Sequence, residues 1–92
     1  METFSFDTEI SISSELISTR LEQDTVILNL ATGKYYSLEG VGSLIWQSLE
    51  AKQDLGAIQE NILSSYNVSS EQSLTDMQAF LSSLADAGLI SF

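Results

Sequence analysis

The spacing of apolar residues changes once along the chain, just after Leu38. Before this point period-two alternation predicts a half-buried strand over 4–12, and further extended segments are predicted over 16–21, over 25–30, which is dense in β-branched residues, and over 34–38. After it apolar residues recur every three or four positions, a spacing typical of amphipathic helices. A run of strands followed by a run of helices indicates an α+β fold with an antiparallel sheet.

A hairpin is predicted between the last two of these strands. They are separated by Ala31-Thr32-Gly33, with glycine where a left-handed backbone is required. Alternation divides each arm into two faces. On the first arm Val26, Leu28 and Leu30 share one face, and Ile27 lies on the other. On the second arm Tyr36 and Leu38 share one face, and Tyr35 lies on the other.

Three helices are predicted after the hairpin. Asp54 is a typical N-cap for the second helix and Ser70 for the third, and Gly88 marks the end of the third. Gly40 and Gly42 open the first helix, and we interpret them as capping or close-packing residues. The predicted core stripes are Val41, Leu44, Ile45 and Leu49, then Leu55, Ile58, Ile62 and Tyr66, then Leu74, Met77, Leu81 and Leu84.

The length of 92 residues suffices for one small domain. We expect a compact unit over 14–92, with an N-terminal arm or an extra strand over 1–13. No apolar run is long enough to span a bilayer, and the N-terminus lacks the basic and hydrophobic regions of a signal peptide. A cytoplasmic protein without membrane contact is therefore expected.

Composition excludes several kinds of active site. The chain contains no His and no Cys, which removes the commonest general base, the thiol nucleophile and the thiolate zinc site. Calcium loops, phosphate-binding glycine loops and nucleophile elbows are absent from the sequence. We interpret the thirteen carboxylates as solvated surface groups. The expectation is a protein that is not an enzyme and has no metal and no cofactor.

The charge also argues against nucleic-acid binding. Three helices beside a hairpin suggest a winged helix, whose third helix would enter a groove. The net charge is -10 and no Lys or Arg follows Lys52, so that helix would repel phosphates. A winged-helix scaffold that contacts proteins or peptides remains open.

Two surface features favour peptide binding. Strand 34–38 is the last before the helices, so one of its edges is expected to be open to an added strand. Beside the core stripe of the third helix runs a second stripe, suited to line a groove next to that edge. The alternatives are an ordinary edge shielded by Lys34 and the adjacent helix, and a Phe80 that only completes the core. The candidate peptide-binding residues are Lys34, Tyr35, Tyr36, Ser37 and Leu38 on the strand, and Asp76, Phe80, Ser83 and Ala87 on the helix.

These segments resemble the PqqD-like family over roughly residues 16–92. Each piece alone is weak, but their order along the chain is fairly specific. The matching pieces are Val26-Ile27-Leu28-Asn29-Leu30, Gly33-Lys34-Tyr35-Tyr36-Ser37-Leu38, Val41-Gly42-Ser43-Leu44-Ile45-Trp46, residues 58–66 and 76–84, and the ending Ala87-Gly88-Leu89-Ile90.

The resemblance implies a recognition element for ribosomally made, post-translationally modified peptides. It implies a three-stranded antiparallel sheet packed on three helices, with the leader of a precursor peptide added as a strand between the third strand and the third helix. A free-standing chain of this kind is similar to the leader-binding proteins of lasso-peptide pathways, whose partners are a leader-removing cysteine protease and an ATP-dependent macrolactam synthetase. Two alternatives stay open: an acidic winged-helix subunit that docks on an enzyme without binding a peptide, and a PqqD-type chaperone for a radical enzyme. A homodimer also stays open.

Overall fold

Four strands precede the three helices in the structure, as the change of spacing predicts, and a short fifth strand follows them. The computed structural model describes residues 9–91, so the part of the predicted first strand over 4–8 lies outside the described residues. The elements are β1 (Ser11–Ile12), β2 (Leu16–Leu21), β3 (Asp24–Asn29), β4 (Tyr35–Leu38), α1 (Gly40–Glu50), α2 (Leu55–Ser65), α3 (Ser70–Asp86) and β5 (Ile90–Ser91).

The main sheet has three antiparallel strands in the order β2-β3-β4. Residues Leu16 and Asn29 are partners between β2 and β3, and residues Leu28 and Tyr35 are partners between β3 and β4. Gly33 in the connecting turn has a φ of 75°, the left-handed conformation predicted for it. This sheet and the three helices confirm the predicted α+β, winged-helix-like fold.

A second, two-stranded sheet joins the two ends of the described chain. β1 pairs antiparallel with β5, and the Ser13 N–H donates to the Leu89 carbonyl at 3.0 Å. Ile10 and Ile12 pack against the hydrophobic core. Within the described residues, only Ser11–Ile12 of the predicted first strand is β-structure.

β3 buries the face that carries a single apolar side chain. Ile27 is fully buried between two buried polar residues, Thr25 and Asn29. The Asn29 side-chain carbonyl accepts hydrogen bonds from the N–H groups of Ala31 and Thr32 at 2.9 and 3.3 Å, so burial leaves it satisfied. Val26 and Leu28 lie on the opposite, outer face and are half-buried.

The helix boundaries follow local capping chemistry. The carboxylate of Asp54 accepts a hydrogen bond from the Ala57 N–H at 2.8 Å, which confirms the predicted N-cap of α2. The prediction of Ser70 as the N-cap of α3 is wrong by one residue, because Ser69 accepts from the Gln72 N–H at 3.1 Å. Two adjacent serines offer the same cap, and the extended backbone at Ser69 decides between them.

The core lies between the sheet and the three helices. The spacing places Tyr66 in the α2 stripe, but α2 ends at Ser65 and the Tyr66 side chain is 39% exposed. Trp46, beside the predicted stripe of α1, is instead among the most buried residues. The buried core residues are Ile27, Ile45, Trp46, Leu49, Leu55, Ile58, Ile62, Met77, Leu81, Leu84, Leu89 and Ile90.

Candidate peptide-binding site

β4 is an outer strand of the main sheet. Its partner in the sheet is β3, and no further strand follows it in the sheet order of the described chain. The side chains of β4 alternate between exposed Tyr35 and Ser37 and half-buried Tyr36 and Leu38. The strand therefore presents one edge that an extended peptide can join.

The hydrogen bonds of the hairpin show which backbone groups of β4 face this edge. The Asn29 N–H donates to the Lys34 carbonyl at 2.9 Å, so these two residues form a hydrogen-bonded pair. Bonded and non-bonded pairs alternate along an antiparallel ladder. With the observed register, Tyr36 and Leu38 direct their backbone N–H and C=O groups toward β3, and Tyr35 and Ser37 direct theirs away from it. We call the backbone groups of Tyr35 and Ser37 the β4 edge.

Phe80 on α3 is held against the first turn of α1. A β-carbon on Gly42 would stand 3.1 Å from Cε1 and 3.3 Å from Cζ of the Phe80 ring, so the ring rests on the glycine itself. α1 begins at Gly40, directly after β4 and the intervening Glu39. The contact with Gly42 therefore places the Phe80 ring close to the end of β4.

The sequence is compatible with two locations of the Phe80 side chain, the hydrophobic core or the wall of a groove. The side chain is half-buried and packs against the border of the core, whereas the next residue, Leu81, is fully buried. Tyr36, Leu38 and Ala87 are half-buried at the border of the same core. The inner side chains of β4 and two members of the α3 stripe thus pack against the same hydrophobic core.

The polar candidates on α3 lie on the surface. Asp76 is exposed, and its carboxylate accepts a hydrogen bond from Gln72 Nε2 at 2.8 Å. Ser83 is exposed and its hydroxyl donates to the Ala79 carbonyl at 3.1 Å. These bonds stay within α3, so both side chains retain a solvent-facing side. Lys34, at the start of the β4 segment, is also exposed.

A polar network that periodicity does not reveal ties the sheet to α1. The buried hydroxyl groups of Thr25 and Ser43 lie 2.7 Å apart, and Gln47 Nε2 donates to Ser43 Oγ at 3.0 Å. The Arg20 guanidinium donates to the Gln47 side-chain carbonyl. This network holds β3 against α1 and so supports the strand on which β4 is built. In the sequence this network is marked only by Thr25, a polar residue at an inward position of β3. An analysis of hydrophobic spacing does not detect it.

A cavity of about 810 Å³ is lined by residues 9–12 and by residues around the α1–α2 connection, with none from β4 or α3. Residues 9–91 contain no group of three or more acidic side chains arranged to hold a metal ion. In the same part of the chain, no helix has the length and apolar character needed to cross a membrane.

Comparison with known proteins identifies the family of the chain. The family model of coenzyme PQQ synthesis protein D (PqqD) matches residues 24–90, which include the main hairpin and all three helices. The chain belongs to the PqqD family. No curated protein sequence is significantly similar to this PqqD-family chain.

Two solved structures share the fold of this PqqD-family chain. TbiB1 in complex with the TbiA(beta) leader peptide matches with a TM-score of 0.84 and 34% sequence identity, covering 87% of this chain and 93% of that chain. A lasso peptide synthetase B1 complexed with the leader peptide matches with a TM-score of 0.83 and 22% identity, covering 92% of this chain and 100% of that chain. The second likeness shows the fold alone.

Proposed function

We propose that this chain is a non-catalytic adaptor that binds the leader segment of a ribosomally made precursor peptide by adding it as a strand to the β4 edge. The observation that carries the proposal is the outer position of β4, whose Tyr35 and Ser37 offer backbone groups on the open side. Support comes from TbiB1, which shares 34% identity with this chain and was solved with a leader peptide.

Main-chain pairing and side-chain contacts would contribute to binding in different ways. Backbone bonds to Tyr35 and Ser37 supply affinity without regard to the peptide's sequence. Successive side chains of an added strand point to opposite faces of the sheet, so every second leader residue would face the core border. There the half-buried side chains of Tyr36, Leu38 and Phe80 would select apolar leader residues.

The remaining candidate residues complete the proposed groove. Ala87, at the C-cap of α3, and exposed Ser83 carry small side chains, which leave room for a peptide beside the Phe80 ring. Lys34 and Asp76 are exposed charges at the strand and the helix, suited to contact charged or polar leader atoms.

Processing enzymes are the further partners in this proposal. We infer that the bound leader is presented to the leader-removing protease and to the macrolactam synthetase of a lasso-peptide-type pathway. The support is the resemblance of the sequence to the leader-binding proteins of lasso-peptide pathways. An adaptor without catalytic groups fits a chain that has neither His nor Cys.

Ser37→Pro tests the proposal. Proline removes the Ser37 N–H, which faces the open side and not β3, so the hairpin keeps its internal bonds while the added strand loses a donor. We expect leader affinity to fall at least tenfold. The affinity is measured by fluorescence polarisation with a synthetic leader of the precursor peptide that is encoded next to the gene of this protein. Circular dichroism checks that the variant is folded.

Two further variants make the result specific. Ser37→Ala keeps the N–H and should bind the leader as the wild type does. Tyr36→Pro removes an N–H that faces β3 and should unfold the hairpin. A folded Ser37→Pro variant with wild-type affinity would show that no strand is added at the β4 edge. Absence of leader binding by the wild type would favour the acidic interaction subunit that binds no peptide.

A further inference from the structure

β2 is the other outer strand of the main sheet. It pairs with β3, and no strand lies beyond it in the sheet order of the described chain. The Leu30 N–H donates to the Glu15 carbonyl at 2.8 Å, and bonded and non-bonded pairs alternate from there along the ladder. With the observed register, Leu16, Ser18 and Arg20 direct their backbone N–H and C=O groups away from β3. We call these backbone groups the β2 edge.

Opposite charges lie beside this edge on the helix side of the sheet. Ser18 and Arg20 are partners of two buried β3 residues, so their side chains point to the inner face. The Ser18 hydroxyl donates to Glu50 Oε2 at 2.6 Å, and the Arg20 guanidinium donates to the neutral side chain of Gln47. A cavity of about 490 Å³ lies between these strand residues and the end of α1. It leaves room for a further side chain beside the Glu50 carboxylate.

β2 is self-complementary when it pairs antiparallel with a second copy about Thr19. A twofold axis at this residue sets Thr19 opposite Thr19 of the second copy, and Ser18 opposite Arg20 in both directions. The backbone groups of Ser18 and Arg20 point outward, so each of these two pairs would exchange two hydrogen bonds. On the outer face Ile17, which is 51% exposed, would lie opposite Leu21, which is 56% exposed. Both apolar side chains would gain a cross-strand neighbour.

Charge favours a second copy over an unrelated strand. In this register Arg20 of one copy lies opposite the Ser18 that binds Glu50 in the other, so its guanidinium can enter the cavity and meet that carboxylate. The twofold axis repeats this ion pair, which makes the contact locally neutral although each copy carries a net charge of -10. An inward-pointing charge on an edge strand opposes pairing with strands that offer it no counter-charge. A second copy supplies one.

We propose that two copies of this chain pair through the β2 edge and form a symmetric dimer in which the two main sheets become one. Such a contact uses the same surface on both copies and therefore closes without growing into a fibre. The interface is small, so we expect a Kd in the micromolar range. The β4 edge lies on the opposite side of each sheet and stays open, so dimerisation should leave leader affinity unchanged. The inference is independent of the proposed function.

Cysteine cross-linking tests the register, because the chain has no cysteine of its own. The Cα atoms of a non-bonded antiparallel pair lie about 4.5 Å apart, which is within the range of a disulfide. We expect Thr19→Cys to form a covalent dimer with oxidised glutathione. The matched control is Ile17→Cys on the same face of β2, whose two copies would be offset by about 13 Å and out of disulfide range. Equal cross-linking of the two variants, or none by Thr19→Cys, would overturn the pairing about Thr19.

Charge exchange tests the ion pair in the chain without added cysteine. Sedimentation velocity at about 0.15 M salt, where a Debye length of about 8 Å limits repulsion between acidic copies, should show a concentration-dependent dimer. Arg20→Glu and Glu50→Lys should each be monomeric, and the double variant Arg20→Glu/Glu50→Lys should dimerise again. Lys34→Glu changes the net charge by the same amount as Arg20→Glu but lies outside β2, so it should still dimerise.

Four results would overturn the inference. The first is a wild type that stays monomeric up to millimolar concentration. The second is a dimer that persists in both single charge variants, and the third is a double variant that stays monomeric although circular dichroism shows it to be folded. The fourth is a dimer that Ser37→Pro dissolves and Arg20→Glu does not, since the β4 edge would then be the contact. If Arg20→Glu does not fold, Glu50→Lys at the exposed end of α1 decides the same question.

Discussion

The ring of Phe80 on α3 rests on Gly42 of α1, with the position of a β-carbon at residue 42 only 3.1 Å from Phe80 Cε1. Such a distance is closer than ordinary van der Waals contact between carbon atoms, so any side chain at position 42 must displace the ring. Gly42 is buried and Phe80 half-buried, so a side chain at position 42 forces the ring to shift by a few tenths of an ångström. The glycine thereby fixes how closely the Phe80 ring approaches α1.

Gly42→Ala should weaken leader binding without unfolding the protein. Alanine favours the helix by roughly 0.5–1 kcal/mol over glycine, but the displaced Phe80 ring offsets that gain. We expect a loss of leader affinity of about 1 kcal/mol, the lower end for a disturbed interface residue, measured by fluorescence polarisation.

Gly56→Ala is the matched control for this change. A β-carbon on Gly56 would meet only Asp54 Oδ1 at 3.4 Å, so the helical gain should appear as a higher melting temperature with unchanged leader affinity. If both alanine variants bind the leader equally well, the contact between Phe80 and Gly42 does not shape the binding surface.

Phe80→Ala should separate the two positions considered for this side chain. As a wall of the groove, Phe80 should contribute ~1–3 kcal/mol to leader binding, the range for an interface anchor. As a core residue, its loss would instead cost ~3–5 kcal/mol of folding stability. Its half-buried position favours the first outcome, with a modest fall in melting temperature. Urea unfolding followed by the fluorescence of the single, buried Trp46 measures the second quantity. Intact leader affinity in a strongly destabilised variant would remove Phe80 from the proposed site.

The charge of -10 should accelerate association with a basic leader segment, and added salt should reduce the rate. The Debye length falls from ~10 Å at 0.1 M to ~3 Å at 1 M salt, so the on-rate measured by stopped flow should fall over that range. Asp76 lies one helical turn before Phe80 on the same stripe, and Asp76→Asn should lower the on-rate and weaken binding.

Glu60→Gln provides the comparison for Asp76→Asn, because it removes one exposed carboxylate from α2, away from the α3 stripe. Its leader affinity should stay close to that of the wild type. Salt-independent association together with normal binding by Asp76→Asn would leave the acidic surface without a part in recognition.

Much of this architecture follows from interactions between near neighbours in the chain. The left-handed Gly33 in the hairpin turn and the Asp54 cap of α2 depend on residues within a few positions, and both occur as predicted. For the same reason the spacing of side chains reveals β4 and the candidate stripe on α3. Where neighbours are chemically equivalent, as with Ser69 and Ser70, local reasoning errs by one residue.

The orientation of β3 and the position of the Phe80 ring depend on residues that are distant along the chain. Both faces of β3 carry apolar side chains, so alternation alone does not indicate which face is inward. Folding buries Ile27 because β3 packs against α1, where Ser43 also satisfies the neighbouring Thr25 hydroxyl. This leaves Leu28 and Tyr35 on the outer face, where no helix covers them. The contact of Phe80 with Gly42 likewise joins two segments that are distant along the chain, α3 and α1. Packing between such segments leaves no periodic pattern in the sequence.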